Sequence, residues 1–411
     1  MTTRNRQTSD PNYPPSDLSW LGRLRGAAII MIVAWHVNQL PFSGLFLHKY
    51  TRFLLPFLDQ PGFQDLFTTT SSVQFFFLPI ATFCNLGYQG VHLFFVLSGF
   101  GLVLSWNASL RKQKIDRFFL FSWMRRRFMR ISLPLWFSLV IVLVFLLLFG
   151  PRKIYYVTNL PDSPVVWLRL SLLTALGLNG LFPGTIYSIN PPLWFIAPLF
   201  QFYLIFPILV VLLDRYGPGK FMIFSIIITI VSRFIFIFYL QKSIGWPFAL
   251  GSFIGCRLAE FGFGMSMATW YPEQHRKWIP NLKNTLLTLS GYAMGLVLAT
   301  TLWGALFSEM FIGVFLFVLL YFFFNRFNWL SMERIGKYSL GIFLIHYPLM
   351  YPLQKLFGLV LPNYILYGQL INFILVMITL FYFGIAFEWS LSRLMPFLQP
   401  TKCNHGEGNV S

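Results

Sequence analysis

Acidic residues are scarce in this chain. Only 13 Asp and Glu stand against 31 Lys and Arg, and charged residues make up 11% of 411. Soluble domains carry about 25% charged residues, so a soluble globular protein is excluded. Cysteine is nearly absent as well. Cys84, Cys256 and Cys403 lie far apart, with neither ligand spacing nor a disulfide framework, and no other His, Cys or carboxylate set suggests a metal. No internal repeat is visible, which argues against the repeated halves common in secondary transporters. A short apolar stretch with a small-residue cleavage site is missing from the start, so no cleaved signal peptide is expected.

What remains is overwhelmingly apolar. Hydrophobic residues reach 56%, 49 of the residues are Phe, and the mean hydropathy is +0.64. Apolar runs of membrane-crossing length recur along the chain. They predict an all-α polytopic membrane protein with about ten transmembrane helices, at 22–40, 88–106, 130–149, 193–213, 220–240, 248–269, 285–304, 307–324, 338–357 and 366–388. A polar, proline-bearing tail over 1–19 is expected to be disordered, followed by a membrane domain at 20–390 and a C-terminal tail at 391–411. The segment "SSVQFFFLPIATF" (71–83) reads as an interfacial or re-entrant helix.

The net charge of +18 could suggest nucleic acid. Its distribution gives a different reason. With the N-terminus inside, most Lys and Arg fall on the inner side, and only Lys49, Arg52, Arg152, Lys153, Arg169, Lys242 and Lys355 fall outside. The positive-inside rule then places both termini in the cytoplasm. Membrane lipids are the expected surroundings, and no nucleic-acid partner is expected.

Two residues disturb the first span, "LRGAAIIMIVAWHV". Arg25 and His36 are eleven residues apart, so about 1100° of helical rotation brings them within about 20° of the same face. The rise separates them by about 16 Å. Arg25 would lie at the inner rim and His36 at mid-depth, where a titratable group is a functional candidate. His346 shares that depth in a late span. Arg257 and Glu260 are three apart and can pair, and Ser98-Gly99 suits close helix approach.

Arg–(ten residues)–His in a first span resembles the signature of membrane acyltransferase family 3, the integral-membrane O-acyltransferases of surface glycans. Further stretches are similar to that family in order: "GVHLFFVLSGFGL" (90–102), "RRRFMRISLPLW" (125–136), "LWFIAPLFQFYLIFP" (193–207) and "GKYSLGIFLIHYPL" (336–349). The likeness covers about 18 to 390. It implies ten core spans in a bacterial cytoplasmic (inner) membrane, a cytoplasmic acyl-CoA donor, usually acetyl-CoA, and an acceptor hydroxyl on a glycan or lipid-linked glycan. Two departures stand out. His92 occupies a position that is commonly acidic, and Leu199 and Phe200 replace a frequent glutamate pair. No hydrolase-like domain follows the last span, so a second transfer step would fall to a separate periplasmic transferase.

The chemistry suits these residues. Coenzyme A phosphates need forked cationic donors, which Arg125, Arg126, Arg127 and Arg130 can supply; the same run also reads as a topology determinant and headgroup binder. Arg25 would anchor the donor, and His36 would serve as general base or acyl acceptor. His92, Gln201, Tyr203 and His346 are the candidate acceptor contacts. A secondary transporter and a catalytically silent scaffold of glycan assembly remain the competing readings.

Overall fold

The computed structural model describes residues 18–40, 80, 83–110, 117–155, 160–240, 245, 247–274, 281–360 and 366–398. These residues fold into helices and turns without a strand. The expected tails lie largely outside them, as does all but a few residues of the 71–83 segment. The principal helices are α1 (Ser19–Asn38), α2 (Gly90–Leu110), α3 (Arg117–Phe149), α4 (Pro164–Ala175), α5 (Ile196–Phe234) and α6 (Leu258–Gln274). They are followed by α7 (Leu282–Leu298), α8 (Ser308–Arg326), α9 (Leu330–Lys337), α10 (Ser339–Gly358) and α11 (Leu366–Leu398).

Among the described residues, six stretches are long and apolar enough to cross a membrane: Ser19–Asn38, Phe83–Leu110, Phe118–Phe149, Pro191–Tyr239, Ser308–Arg326 and Gly368–Leu394. This is a multi-pass membrane protein. The 49 residues from Pro191 to Tyr239 exceed a single crossing of about 20 residues. They are broken at Gly217, whose φ of 78° and ψ of 162° leave the helix. Glycine tolerates that conformation, and Pro218 cannot donate back across it. The break separates the expected 193–213 and 220–240 spans.

Three expected boundaries need correction. The run Arg125–Arg130 is not a loop but part of α3, which begins at Arg117. The cause is a buried stripe at every fourth residue, Phe119, Trp123, Ile131 and Leu135, which lies on one helical face. At 33 residues, α3 is about 50 Å long, well beyond a hydrocarbon core of about 30 Å. The span expected at 248–269 starts as irregular turns, because Pro247 and Gly251 (φ 130°) interrupt it, and α6 begins only at Leu258. The last helix continues past 390 to Leu398.

Small residues set the helix spacing. A Cβ on Gly99 of α2 would lie 2.1 Å from the Phe261 carbonyl oxygen of α6, and one on Gly264 would lie 2.0 Å from that of Val96. The "LSGFG" stretch thus permits the close approach expected of it. Phe202 of α5 stacks on Phe261, ring centroids 4.0 Å apart at 5°. This packing holds α2, α5 and α6 together and leaves space between α1, α2, α3, α5, α10 and α11.

Candidate active site

That space is a cavity of about 380 Å³. Arg25 from α1, Ser98 and Ser105 from α2, Arg127 and Arg130 from α3, Tyr203 from α5, Lys337, Ser339 of α10 and Glu388 from α11 face it. Arg127 falls on the buried stripe of α3, one turn after Trp123, which explains its inward direction. Its guanidinium lies 5.7 Å from the Trp123 ring centroid and Nη2 donates to Ser105 Oγ. Arg25 runs beside Gly101, where even a Cβ would come within 3.3 Å of its Nη2. The one carboxylate among the described lining residues is Glu388, whose Oε2 accepts a 2.8 Å hydrogen bond from the Gly341 amide. Four cations therefore face one acid. That excess of positive charge is one an anion could balance.

His36 does not line that cavity. Three helical turns beyond Arg25, its Nδ1 lies 3.0 Å from the Ile32 carbonyl oxygen and 3.2 Å from His346 Nε2. His346 Nδ1 in turn lies 2.8 Å from the Phe343 carbonyl oxygen. Carbonyls only accept, so in the neutral pair His346 Nδ1 carries hydrogen and donates to Phe343. His346 Nε2 then holds a lone pair and faces the Nδ1–H of His36. The tautomer so assigned leaves His36 Nε2 as the basic nitrogen. Arg25 and His36 therefore do not line this cavity together. They share a helix face, but the rise between them leaves room for an aromatic layer, Phe195 and Phe343.

On the far side of the histidines stands Tyr347, whose ring centroid is 5.4 Å from that of His36. Tyr155 packs on Tyr347 at 5.8 Å and donates a 2.6 Å bond to the Ile189 carbonyl oxygen. Tyr155 also lines a second cavity, about 610 Å³, with Tyr187, Ser188, Pro191 and neighbours. Burial pushes the Tyr187 hydroxyl up to about 12 and that of Tyr155 higher still, so both stay protonated and able to donate. The histidine pair sits between two chambers.

The sequence of the chain matches a family model described as an acyltransferase domain over residues 18–393. The chain belongs to that acyltransferase family. Its curated relatives include the O-acetyltransferase OatA of Staphylococcus aureus strains NCTC 8325 / PS 47, COL and N315, each 27% identical over 237 residues. That alignment takes in 56% of this acyltransferase and 31% of the relative, so the chain spans about a third of the length of the curated proteins it matches. No solved structure matches.

Other candidates of the acyltransferase are placed elsewhere. His92 is buried away from both cavities, inside an ion network. Arg257 Nη1 lies 2.7 Å from His92 Nδ1, 2.8 Å from Glu260 Oε1 and 2.6 Å from Glu309 Oε2, and Arg233 Nη2 completes it at 2.8 Å from Glu309 Oε2. The expected Arg257–Glu260 pair is therefore part of a larger cluster. His92, Glu260 and Glu309 bring three ligand-type atoms within 4.8 Å of one another. The Arg257 guanidinium already occupies the position a cation would take between them. Gln201 and Tyr203, two residues apart, differ by about 200° around α5. Tyr203 faces the inner cavity, while Gln201 turns toward Gly180, where a Cβ would lie 3.8 Å from its Nε2. Arg125 and Arg126 are exposed, and Arg126 bonds back to Ser122 Oγ at 3.1 Å. Sequence reasoning missed Lys337, Glu388, Phe195, Phe343 and Tyr155. For Arg127, the four-residue stripe was the available signal.

Proposed function

We propose that this acyltransferase carries an acetyl group from cytoplasmic acetyl-CoA, held in the inner cavity, to a hydroxyl of an envelope glycan or lipid-linked glycan reaching the outer one. The observation that carries the reading is His36 Nε2, a basic nitrogen oriented by His346 between the two chambers. In this reading His36 Nε2 removes the proton from the acceptor hydroxyl, and the oxygen attacks the thioester carbonyl. The C–S bond breaks, and the departing thiolate takes the proton back from the imidazolium. An acyl-imidazole formed first by attack of Nε2 would divide the same exchange into two steps.

Arg25, Arg127 and Arg130 would hold the donor phosphates as forked donors, with Lys337 as a point charge. The exposed Arg125 and Arg126 suit the first encounter and lipid headgroups. Leu199 lines the inner cavity, so the missing glutamate leaves its positive excess undiminished. Phe200 packs on Phe128 at 5.2 Å and serves the core. The proposed topology has about ten spans and both termini in the cytoplasm of a bacterial inner membrane, which puts the arginine-lined cavity on the donor side. A separate periplasmic transferase would complete delivery if the acceptor lies beyond reach. No step in this scheme calls for a metal.

The test is transfer of labelled acetyl from acetyl-CoA to envelope glycan fractions by the purified protein. His36→Ala is expected to lower turnover by about 10²–10⁴-fold with donor binding retained. Parental turnover in that variant would overturn the assignment of His36.

A further inference from the structure

The wall between the inner cavity and the histidines is thin and built by two elements. One is the five-residue turn Pro191–Phe195 that leads into α5. Pro191 at its start lines the outer cavity, and Phe195 at its end lines the inner one. The turn is pinned to α10, because buried Asn190 donates from Nδ2 to the Leu344 carbonyl oxygen at 3.2 Å. The other element is α10 itself, which places Phe343 one turn before His346. Phe195 and Phe343 meet edge to face, centroids 5.7 Å apart at 69°. Phe95 supports Phe195 from behind at 4.7 Å. The Phe343 ring lies 5.9 Å from that of His346, so a single aromatic layer separates the cavity end from the catalytic pair.

Resting on the donor site proposed above, we infer that Phe195 and Phe343 determine the length of the acyl group. The thioester carbonyl must come up to His36 to react. Because the acyl group leads the arm out of the inner cavity, it has to pass or displace these two rings before that carbon reaches the histidine. Both are almost fully buried, at 6% and 5% exposure, and close-packed interiors do not yield space for an added methylene without cost. A methyl needs the least room, so the wall favours acetyl over longer acyl groups. Each added methylene in such a pocket changes discrimination by about 10-fold or more.

The experiment is displacement of radiolabelled coenzyme A from the detergent-purified full chain by acetyl-, butyryl- and hexanoyl-CoA, which needs no acceptor. The parental protein is expected to bind acetyl-CoA at least about tenfold more tightly than hexanoyl-CoA. Phe343→Ala and Phe195→Ala should narrow that gap to about threefold or less, because each removes a ring the chain would strike; since both rings line the donor cavity, the gap is read after each affinity is divided by that for coenzyme A itself. Phe343→Leu and Phe195→Leu, which keep most of the volume, should narrow it partly and serve if the alanine variants fail to fold. An unchanged acetyl-to-hexanoyl ratio in folded variants that still bind coenzyme A would overturn the inference and leave the donor site standing. A parental protein that does not bind coenzyme A would overturn the donor site, and this inference with it.

Discussion

Arginines gather in two regions of this helical bundle, a buried network and the lining of the inner cavity, and they are treated oppositely. In the ion network, Arg233 and Arg257 face Glu260 and Glu309 at 2.6–2.8 Å, with His92 enclosed beside them. Positive and negative charges match there without help from any ligand. In the inner cavity, Arg25, Arg127, Arg130 and Lys337 face Glu388 as the one carboxylate among the described lining residues. Two cations meet two acids in the network, whereas four meet one in the cavity. A matched cluster needs no ligand, and the unmatched one suits the donor site proposed above.

The largest effect should come from unbalancing the network. Arg257→Leu leaves Glu260 buried with its nearest cation gone, and removing one partner of a buried pair costs about 3–5 kcal/mol. Thermal unfolding in detergent is expected to show a markedly lower Tm, with acetyl-CoA unable to restore it. A variant of parental Tm would show that the network is not a stabilising fixture. Next comes Arg127→Ala in the inner cavity. A hydrogen bond to a charged group contributes about 1.5–3 kcal/mol, so acetyl-CoA affinity should fall by about 10- to 100-fold while the unliganded Tm hardly moves. Calorimetric titration measures the first quantity, and unaltered affinity would remove Arg127 from the donor site. Smallest is Leu199→Glu, which adds a carboxylate to the unmatched cluster. Partial neutralisation should weaken acetyl-CoA binding several-fold, since charge pairs at partly solvated sites are worth roughly 1 kcal/mol. Tighter binding in that variant would contradict the charge-balance argument.

Those differences also show what the sequence could carry. Hydropathy alone located most of the long helices, because a span must be apolar whatever it packs against, but not the short α4 and α9. It could not place the start of α3, where interior packing of Phe119 and Trp123 extends the helix beyond the membrane-length run. The face shared by Arg25 and His36 was legible because it depends only on helical rotation. Their separation into a cavity residue and a residue behind a wall was not, since Phe195 and Phe343 come from elements far along the chain. Glu388 and Glu309 sit near span ends, where charge costs little, so nothing local shows that one accepts from the Gly341 amide or that the other balances Arg233 and Arg257. Local periodicity reports direction, whereas pairing depends on the tertiary fold.

The tautomer chain through His346 ends on a peptide carbonyl, the Phe343 oxygen, where many catalytic histidines are backed by a carboxylate. A peptide oxygen can aim an imidazole but offers no full negative charge to a proton once captured. Among the described residues the neighbours of the pair are aromatic and aliphatic, so an imidazolium formed there has little reason to linger. In the reaction proposed above, proton uptake at His36 and proton surrender to the leaving thiolate should therefore be tightly linked in time, and an acceptor without a thioester in place would stay untouched.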